Sequence, residues 1–488
     1  MLNTLSARQL DAIGITNWDP VEAYDRTDRL FNLFFKVLKE GRAAVVDGEV
    51  VQVDADWFLE RWLRASLAEV PASSRATAID STDVETSGRL HGELAEADLD
   101  GLPEVNGVGE EGPGPKRPAT RKRPVRVLGV GPDGRNIYTK DSDARAGHRS
   151  ATNSRSAGEY VGYELHLGVQ IRDTEWSDGI ERLNLGPDVP PVITMASLVP
   201  AGSRRDDAVV PKLIDAKERW LEVDEVVWDR GYSQLRPENT THPLNQAGIR
   251  STFRTMDWQR TAKPFDERAI LIEGHLVSAH APDDLLEVLP MPPYGSTNGV
   301  CEEFEAPFNR LARWALQRHA GPDADGTTRW KCPFEAGRLR SRSIPKTMRH
   351  SRSAPLVDLP EGVACCGGIV SVQPGELPYH QRFFPGTTAW RISYRRRDAV
   401  EGVNGALKGT FVNIGQKFFK VFGLAKIKLL LAFTLAAYNL ETIRSFLARR
   451  AARAEEAEKP RPRKKRRKET WRDVVAIRPT TGPDPPPA

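Results

Sequence analysis

The order of apolar, strand-like runs along the chain is the feature that most restricts its fold. Three such runs lie at 76–80, 160–171 and 192–199, and alternate residues of the second are apolar, as a half-buried strand requires. A helix-forming stretch at about 207–221 separates them from a fourth run at 223–228. Strands followed by a crossover helix and a further strand favour an α/β fold with a mixed sheet flanked by helices.

Composition excludes several other classes of protein. With 488 residues, of which 28% are charged and 39% hydrophobic, the chain can bury a large core and is neither collagen-like nor wholly disordered. Its four cysteines are too few for a disulfide framework, so we expect a reducing, cytoplasmic setting. The longest apolar run, at 429–440, is too short to span a bilayer and predicts a buried helix. We therefore expect no membrane partner.

Shifts in composition divide the chain into regions. Residues 1–70 are predicted to be a helical N-terminal region, with an amphipathic helix starting near Pro20 that either binds DNA or packs on the next domain. The regions that follow are the mixed sheet (71–255, with a loop insertion at about 86–158), a β-rich and proline-rich insertion (256–386), two closing helices (387–447) and a basic tail (448–488).

The positive charge of the chain is concentrated in this tail. The formal net charge is +4, yet eight of the ten residues at 459–468 are Lys or Arg and none is acidic. Such a run releases counterions from a polyanion, so nucleic acid is the first candidate partner. A solvated, solubilising end is the alternative. The tail residues expected to contact DNA are Lys464, Lys465, Arg466 and Arg467.

Three acids stand where a catalytic group could be held. Asp80 ends the first apolar run, Asp229 follows the fourth, and Glu401 lies within a predicted helix at 393–408. Carboxylates beyond the ends of adjacent strands meet at one edge of a sheet. A single aspartate at a strand end is also a common turn former or helix cap, so position alone does not assign a role.

The helix around Glu401 carries a more specific pattern. Tyr394, Arg397, Glu401 and Lys408 follow one another at spacings of three, four and seven residues, which places them on one narrow helical face. The stripe spans about 21 Å of helix axis, comparable to roughly six base pairs of DNA. A tyrosine, two cations and an acid along one stripe suit a phosphate backbone with a metal-binding carboxylate among the cations.

The spacing Y-(2)-R-(3)-E-(6)-K resembles the signature of a large branch of bacterial insertion-sequence transposases with a DDE catalytic triad. WDRGY at 228–232 is similar to the block around the second acid of that family, and AIDST at 78–82 to the block around the first. The resemblance extends from about residue 76 to 440. It implies a ribonuclease H-like fold with a β-rich insertion before the catalytic helix, and it assigns catalysis and metal binding to Asp80, Asp229 and Glu401.

The resemblance also implies a reaction and its partners. Three carboxylates without histidine or cysteine favour a hard cation, so two Mg²⁺ ions, with Mn²⁺ as a substitute, are expected. The activity would be nicking of double-stranded DNA at the element's own ends, followed by transesterification into target DNA by a nucleoid-associated enzyme that is a homodimer in the DNA complex. Contacts to DNA are expected from Tyr394, Arg397, Lys408, Arg230 and Tyr232.

Several alternatives stay open. Asp141 and Asp143 form a second candidate for the first acid, although they follow a glycine-rich loop and are expected to face solvent. Tyr394 could simply pack its helix, and His166 is expected to pack on a sheet face. The cysteines contain no C-x₂-C pair, which disfavours zinc. The alternative functions are a ribonuclease H-like nuclease without strand transfer, or a catalytically inactive DNA-binding derivative.

Overall fold

In a computed structural model of the chain, two compact units are formed by residues 1–443 and 444–488. The second unit is helical in its described part, 444–458. The structure describes residue 8 and residues 20–90, 125–149, 157–176, 183–291, 298–343, 354–359, 368–414 and 417–458.

The N-terminal region contains two helices separated by a hairpin: α1 (Pro20–Glu40), β1 (Arg42–Val46), β2 (Glu49–Val53) and α2 (Ala55–Ser66). The sequence analysis did not predict the hairpin. Its two-residue turn has positive φ at both Asp47 and Gly48, the conformation that joins antiparallel strands most tightly. Asp54 then caps α2 by accepting a hydrogen bond from the Trp57 N–H at 2.8 Å.

A six-stranded mixed sheet forms the centre of the first unit. Its order is β10-β7-β3-β11-β12, with β6 also paired to β7. β3 runs antiparallel to β7 and parallel to β11, which is itself parallel to β12. The predicted mixed α/β sheet is therefore confirmed. The strands of this region are β3 (Ala76–Glu85), β4 (Gly129–Val130), β5 (Asn136–Ile137), β6 (Arg145–Arg149), β7 (Gly158–Ile171), β8 (Thr174–Trp176), β9 (Leu183–Leu185), β10 (Ile193–Pro200), β11 (Glu225–Trp228) and β12 (Arg250–Phe253).

Helices cover this sheet, each through an apolar stripe. α3 (Arg205–Arg219) connects β10 to β11, while α4 (Arg230–Ser233) and α5 (Thr241–Gln246) connect β11 to β12. Val209 and Leu213 of α3 are fully buried in one core cluster with Ile79 and Trp228 of the sheet. Burial of such side chains stabilises the layer by roughly 1.5–3 kcal/mol each.

The insertion at 256–386 has its own core and two small antiparallel sheets, of orders β13-β14-β15 and β16-β17-β18. It also contains a long helix that the sequence analysis did not predict. The elements are β13 (Ala262–Pro264), β14 (Ala269–Ile272), β15 (His275–Ser278), α6 (Asn298–Arg313), β16 (Gln317–Ala320), β17 (Thr328–Lys331) and β18 (Ile369–Val372).

The closing segment differs from the predicted single helix at 393–408. It forms α7 (Thr388–Arg395), α8 (Asp398–Gly405) and a π-helical turn (Ala406–Thr410), followed by α9 (Leu424–Glu458). Val400, Val403 and Leu407 are buried with α9 against the sheet face opposite α3. No helix in the described part of the chain combines the length and apolar character that a bilayer crossing needs.

Candidate active site

The parallel pairing of β3 and β11 brings two of the predicted acids side by side. Ile79 is the register partner of Trp228, and the residues that follow these two in the chain are Asp80 and Asp229. β3 continues beyond Asp80, whereas β11 ends and Asp229 precedes the short helix α4. Both carboxylates therefore lie at the carboxyl edge of the parallel part of the sheet.

Helix α8 brings the third acid to the same place. Its apolar side, with Val400 and Val403, is buried in the core, which leaves Glu401 on the open side. The side chains of Glu401 and Asp229 are 50% and 42% exposed. The site is thus accessible to a large ligand.

A buried ionic network holds the α7–α8 segment on the sheet. Glu225 of β11 accepts a hydrogen bond from Arg396 Nη2 at 2.6 Å and one from Ser393 Oγ at 3.0 Å. Arg382 pairs with the other oxygen of Glu225. Burial opposes ionisation of Glu225, yet the two guanidinium groups more than compensate and lower its pKa. Moving this segment away would leave a buried charge without its partner, which is costly. The network therefore fixes the start of α8 on the sheet, and with it the position of Glu401.

Arg397 lies among the three acids. Its Nη2 is 2.6 Å from Glu401 Oε1, and its Nη1 is 3.9 Å from Asp229 Oδ1. Burial works against its charge, but Tyr394, Asp229, Glu401 and Asp80 together raise its pKa. In this conformation the Arg397 guanidinium faces carboxylates, and its contact with a DNA phosphate stays a prediction.

The ionised form of Asp80 is disfavoured by its surroundings. Burial raises its pKa to about 6, helped by the charges of Asp229 and Glu401, while the Ser81 N–H and Arg397 oppose the rise. Asn404, one helical turn after Glu401, donates from Nδ2 to Asp80 Oδ2 at 3.1 Å. Asn404 was not predicted from the sequence, where its only signal is its position three residues after Glu401.

The donor set fits a hard divalent cation. The Oδ1 atom of Asn404 is buried without a hydrogen-bond partner beside Asp80, whose ionised form is opposed by burial and by the charges of Asp229 and Glu401. Carboxylate and amide oxygens are the ligands that Mg²⁺ takes. Within the described residues no three acid, histidine or cysteine side chains are already gathered as a metal-binding cluster. Arg397 contacts two of the acids there.

The two tyrosines expected to contact DNA are in the core. Tyr394 is 5% exposed and stacks on Trp390, with ring centroids 5.0 Å apart. Tyr232 is 1% exposed, and its hydroxyl is 2.7 Å from His166 Nδ1. Burial lowers the pKa of His166 to about 3, so the ring is neutral. These positions agree with the alternatives left open above. Tyr394 packs its helix, and His166 packs on a face of the sheet.

The predicted cations have different surroundings. Lys408, on the π-helical turn, pairs with Asp83 of β3 at 2.5 Å and is 28% exposed. Asp83 also contacts Arg149 at 3.2 Å. Asp83 was not predicted from the sequence as a residue near the site. Arg230 is exposed beside Asp229. Lys464, Lys465, Arg466 and Arg467 lie outside the described residues.

The alternative first acid has a structural position. Asp141 does not face solvent as expected: it is fully buried and accepts hydrogen bonds from Thr86 Oγ1 at 2.7 Å, Tyr163 Oη at 2.8 Å and the Gly423 N–H at 2.9 Å. Asp143 accepts the Leu424 N–H at 2.9 Å, at the start of α9. These bonds tie the loop insertion to β7 and α9.

Of the cysteines, Cys332 is buried in the insertion core, and the other three lie where the structure describes no side chain. Comparison of the chain with family models, with curated proteins and with solved structures gives no significant match. The assignment of a function therefore depends on the geometry of the site and on the resemblance of its motifs.

Proposed function

We propose that the chain is a DNA transposase with a DDE triad formed by Asp80, Asp229 and Glu401. The observation that carries this proposal is the meeting of these acids around Arg397: Asp80 and Asp229 follow paired positions of two parallel strands, and Glu401 and Asp229 contact one guanidinium. Three carboxylates from separate segments, two of them open to solvent, suit a phosphoryl-transfer site for a large polyanion.

The strand arrangement supports a ribonuclease H-like fold for this site. A long central strand pairs antiparallel with β7 and parallel with β11, and the overall order is β10-β7-β3-β11-β12. The insertion with its own core enters between β12 and the helix that carries Glu401. Both features agree with the layout that the motif resemblance implies.

The roles of the residues follow from their chemistry. Asp80, Asp229 and Glu401 would hold two Mg²⁺ ions, or Mn²⁺, with Asn404 orienting Asp80. When bound, the ions would supply activation of a water or 3′ hydroxyl for in-line attack and would stabilise the leaving oxygen. Arg397 offers two donors that fit a phosphate in the bidentate geometry of a guanidinium. Lys408 would hold a second phosphate further along the segment.

The proposal also assigns DNA binding to the basic tail. Deleting residues 459–468 removes eight cations, so affinity for duplex DNA should fall and the loss should shrink as salt rises. Filter binding across a salt series, with the full chain beside the deletion, measures both quantities. Unchanged affinity and salt slope would show that the tail is not a DNA arm.

Cleavage and joining assays test the proposed chemistry. Purified chain is incubated with Mg²⁺ and DNA carrying the element's own ends, and Glu401→Gln is compared with Glu222→Gln. Glu222 is an exposed acid just before the amino end of β11, so it controls for the loss of one carboxylate outside the site. Wild type and Glu222→Gln should nick and join, while Glu401→Gln should do neither.

The other outcomes separate the competing functions. Nicking without joining would favour a ribonuclease H-like nuclease, since the same acids serve hydrolysis alone. End binding without cleavage by any variant would favour an inactive DNA-binding derivative. Activity that survives Glu401→Gln would contradict the assignment of the third acid.

A further inference from the structure

A cavity of about 910 Å³ lies between the insertion and the central sheet. Arg250, the first residue of β12, lines it, together with Arg318 and Trp330 of the insertion sheet. Asp229 instead follows the last residue of β11, which is parallel to β12. The cavity is therefore at the amino edge of the parallel strands, and the three acids are at the carboxyl edge.

The side chains that line this cavity are strongly biased in charge. Among the described residues that line it, five are arginines, three are histidines and none is an aspartate or glutamate. A cavity of one charge sign with low-dielectric walls concentrates ions of the opposite sign. The arginines are Arg250, Arg313, Arg318, Arg338 and Arg382.

The charge of Arg250 is opposed by its burial and by neighbouring cations. Burial lowers the pKa of Arg250, and the charges of Arg382 and Arg318 lower it further, while Glu225 and Asp224 counteract only in part. Arg382 is paired with Glu225, which does not line the cavity. Arg318 donates from Nη2 to the Gly321 carbonyl at 2.7 Å. An anion in the cavity would remove this repulsion.

The wall also offers neutral imidazole nitrogens and flat rings. His275 is 7% exposed and its Nε2 has no hydrogen-bond partner, and the Nε2 of His242 is also buried without one. Burial lowers the pKa of both rings, so they are neutral. The His380 ring lies between His275 and Trp330, with centroids 4.6 and 4.9 Å away. Imidazole nitrogens without partners beside packed aromatic rings suit a ligand that joins a flat heterocycle to an anion.

We propose that this cavity is a second site, separate from the three acids, that binds a nucleotide through its phosphate and its base. Arg250 and Arg318 meet the phosphate at the open rim, where guanidinium groups bind it with charge-assisted hydrogen bonds. The base lies against Trp330 and His380. The nucleotide is either free in solution or a unit of a DNA strand, because both carry the same groups.

Titration calorimetry on the full chain tests this site with three probes: inorganic phosphate, deoxyadenosine monophosphate and a blunt duplex DNA. The variants are Arg250→Gln and Arg318→Gln, and the matched control is Arg42→Gln, an exposed arginine of β1 outside the cavity. Each rim variant should weaken nucleotide binding about tenfold, the effect of losing one charge-assisted hydrogen bond. Phosphate alone should bind more weakly than the nucleotide, since it lacks the base.

The probes identify the source of the ligand. Weaker binding of the mononucleotide in the rim variants, with Arg42→Gln unchanged, supports a site for free nucleotides; loss confined to the duplex supports a site for a DNA strand. Failure of wild type to bind any probe, or equal affinity in all variants, overturns the proposal. The site does not depend on the transposase proposal, because Asp80→Asn should leave binding of the mononucleotide unchanged whichever reaction the acids perform.

Discussion

Asp80 and Asp141 are two acids in the same unit that the structure surrounds in opposite ways. Asp141 is fully buried, but three donors from separate segments satisfy its oxygens. Asp80 faces two other acids, and burial together with their charges raises its pKa to about 6. A charge that is satisfied by hydrogen bonds stabilises the fold, whereas a charge that burial and like charges disfavour is relieved by binding a proton or a cation.

The neighbours of the two acids differ in the donors and charges that they supply. The donors to Asp141 join the loop insertion, β7 and the start of α9, so its carboxylate links elements distant in the sequence. Among the described residues, Asp80 accepts hydrogen bonds only from the adjacent Ser81 N–H and from Asn404 Nδ2, and the charges of Asp229 and Glu401 oppose its own. We therefore expect substitution of Asp80 to affect activity, and substitution of Asp141 to affect stability.

The largest effect should come from Asp80→Asn. Removing one of the three proposed metal ligands should lower the rate of the proposed DNA cleavage at least about 10³-fold, because a metal site supplies several kcal/mol of charge stabilisation in the transition state. The same change should raise the free energy of unfolding of the metal-free protein by about 1–2 kcal/mol, since it removes a buried charge that its neighbours repel. Gel-based cleavage assays and urea denaturation in EDTA measure the two quantities. A variant that is both inactive and less stable would contradict this account.

Asp141→Asn should have the opposite profile. One of the three donors would then face an amide N–H₂ group, so the free energy of unfolding should fall by about 2–4 kcal/mol. Cleavage per folded molecule should be unchanged. Urea denaturation with activity corrected for the folded fraction tests both statements, and Asp143→Asn is the milder control because Asp143 accepts one backbone N–H. Loss of cleavage at unchanged stability would return Asp141 to the list of catalytic acids.

The two acids also show how far sequence reasoning reaches. Asp80 and Asp229 follow apolar runs whose patterns are local, so their strands could be predicted, and parallel pairing then places both at one edge. The burial of Asp141 depends on Thr86 and Gly423, which no local pattern relates to it. The division of the predicted helix at 393–408 into α7, α8 and a π-helical turn likewise depends on tertiary contacts, such as Arg396 to Glu225.

The hairpin β1–β2 and the role of Asp83 could not be predicted from the sequence for different reasons. The hairpin β1–β2 has strands of five residues, and Val45 and Val50 are among its exposed side chains. Its apolar residues therefore carry no strong core-facing pattern, and the flanking helical signals dominate a sequence window of that size. Asp83 was missed because an ion pair with Lys408 joins residues far apart in the chain.

A third, smaller effect should come from Asn404→Ala. Asn404 donates to Asp80 and keeps its own carbonyl oxygen without a partner, so it is a positioning residue for the proposed cation. Its loss should weaken Mg²⁺ binding about tenfold, as is typical when a group that orients a ligand is removed. Thermal shift against Mg²⁺ concentration at pH 7.5 measures this affinity. Asn32→Ala is the matched control, because Asn32 donates to Asp28 on α1 at 2.9 Å. Equal Mg²⁺ affinity in both variants would limit Asn404 to a structural role.

The smallest effect concerns pH and separates the two acids once more. Because the pKa of Asp80 is raised to about 6, the metal-free folded state binds a proton that the unfolded state has already lost, and stability falls as pH rises from about 4 through 6. A cation must displace this proton, so Mg²⁺ affinity should be about fourfold lower at pH 5.5 than at pH 7.5. Thermal shift against Mg²⁺ concentration at the two pH values measures the ratio. In Asp141→Asn the ratio should persist, whereas in Asp80→Asn the part due to this carboxyl should vanish; an unchanged ratio in Asp80→Asn would mean that another group sets the pH dependence.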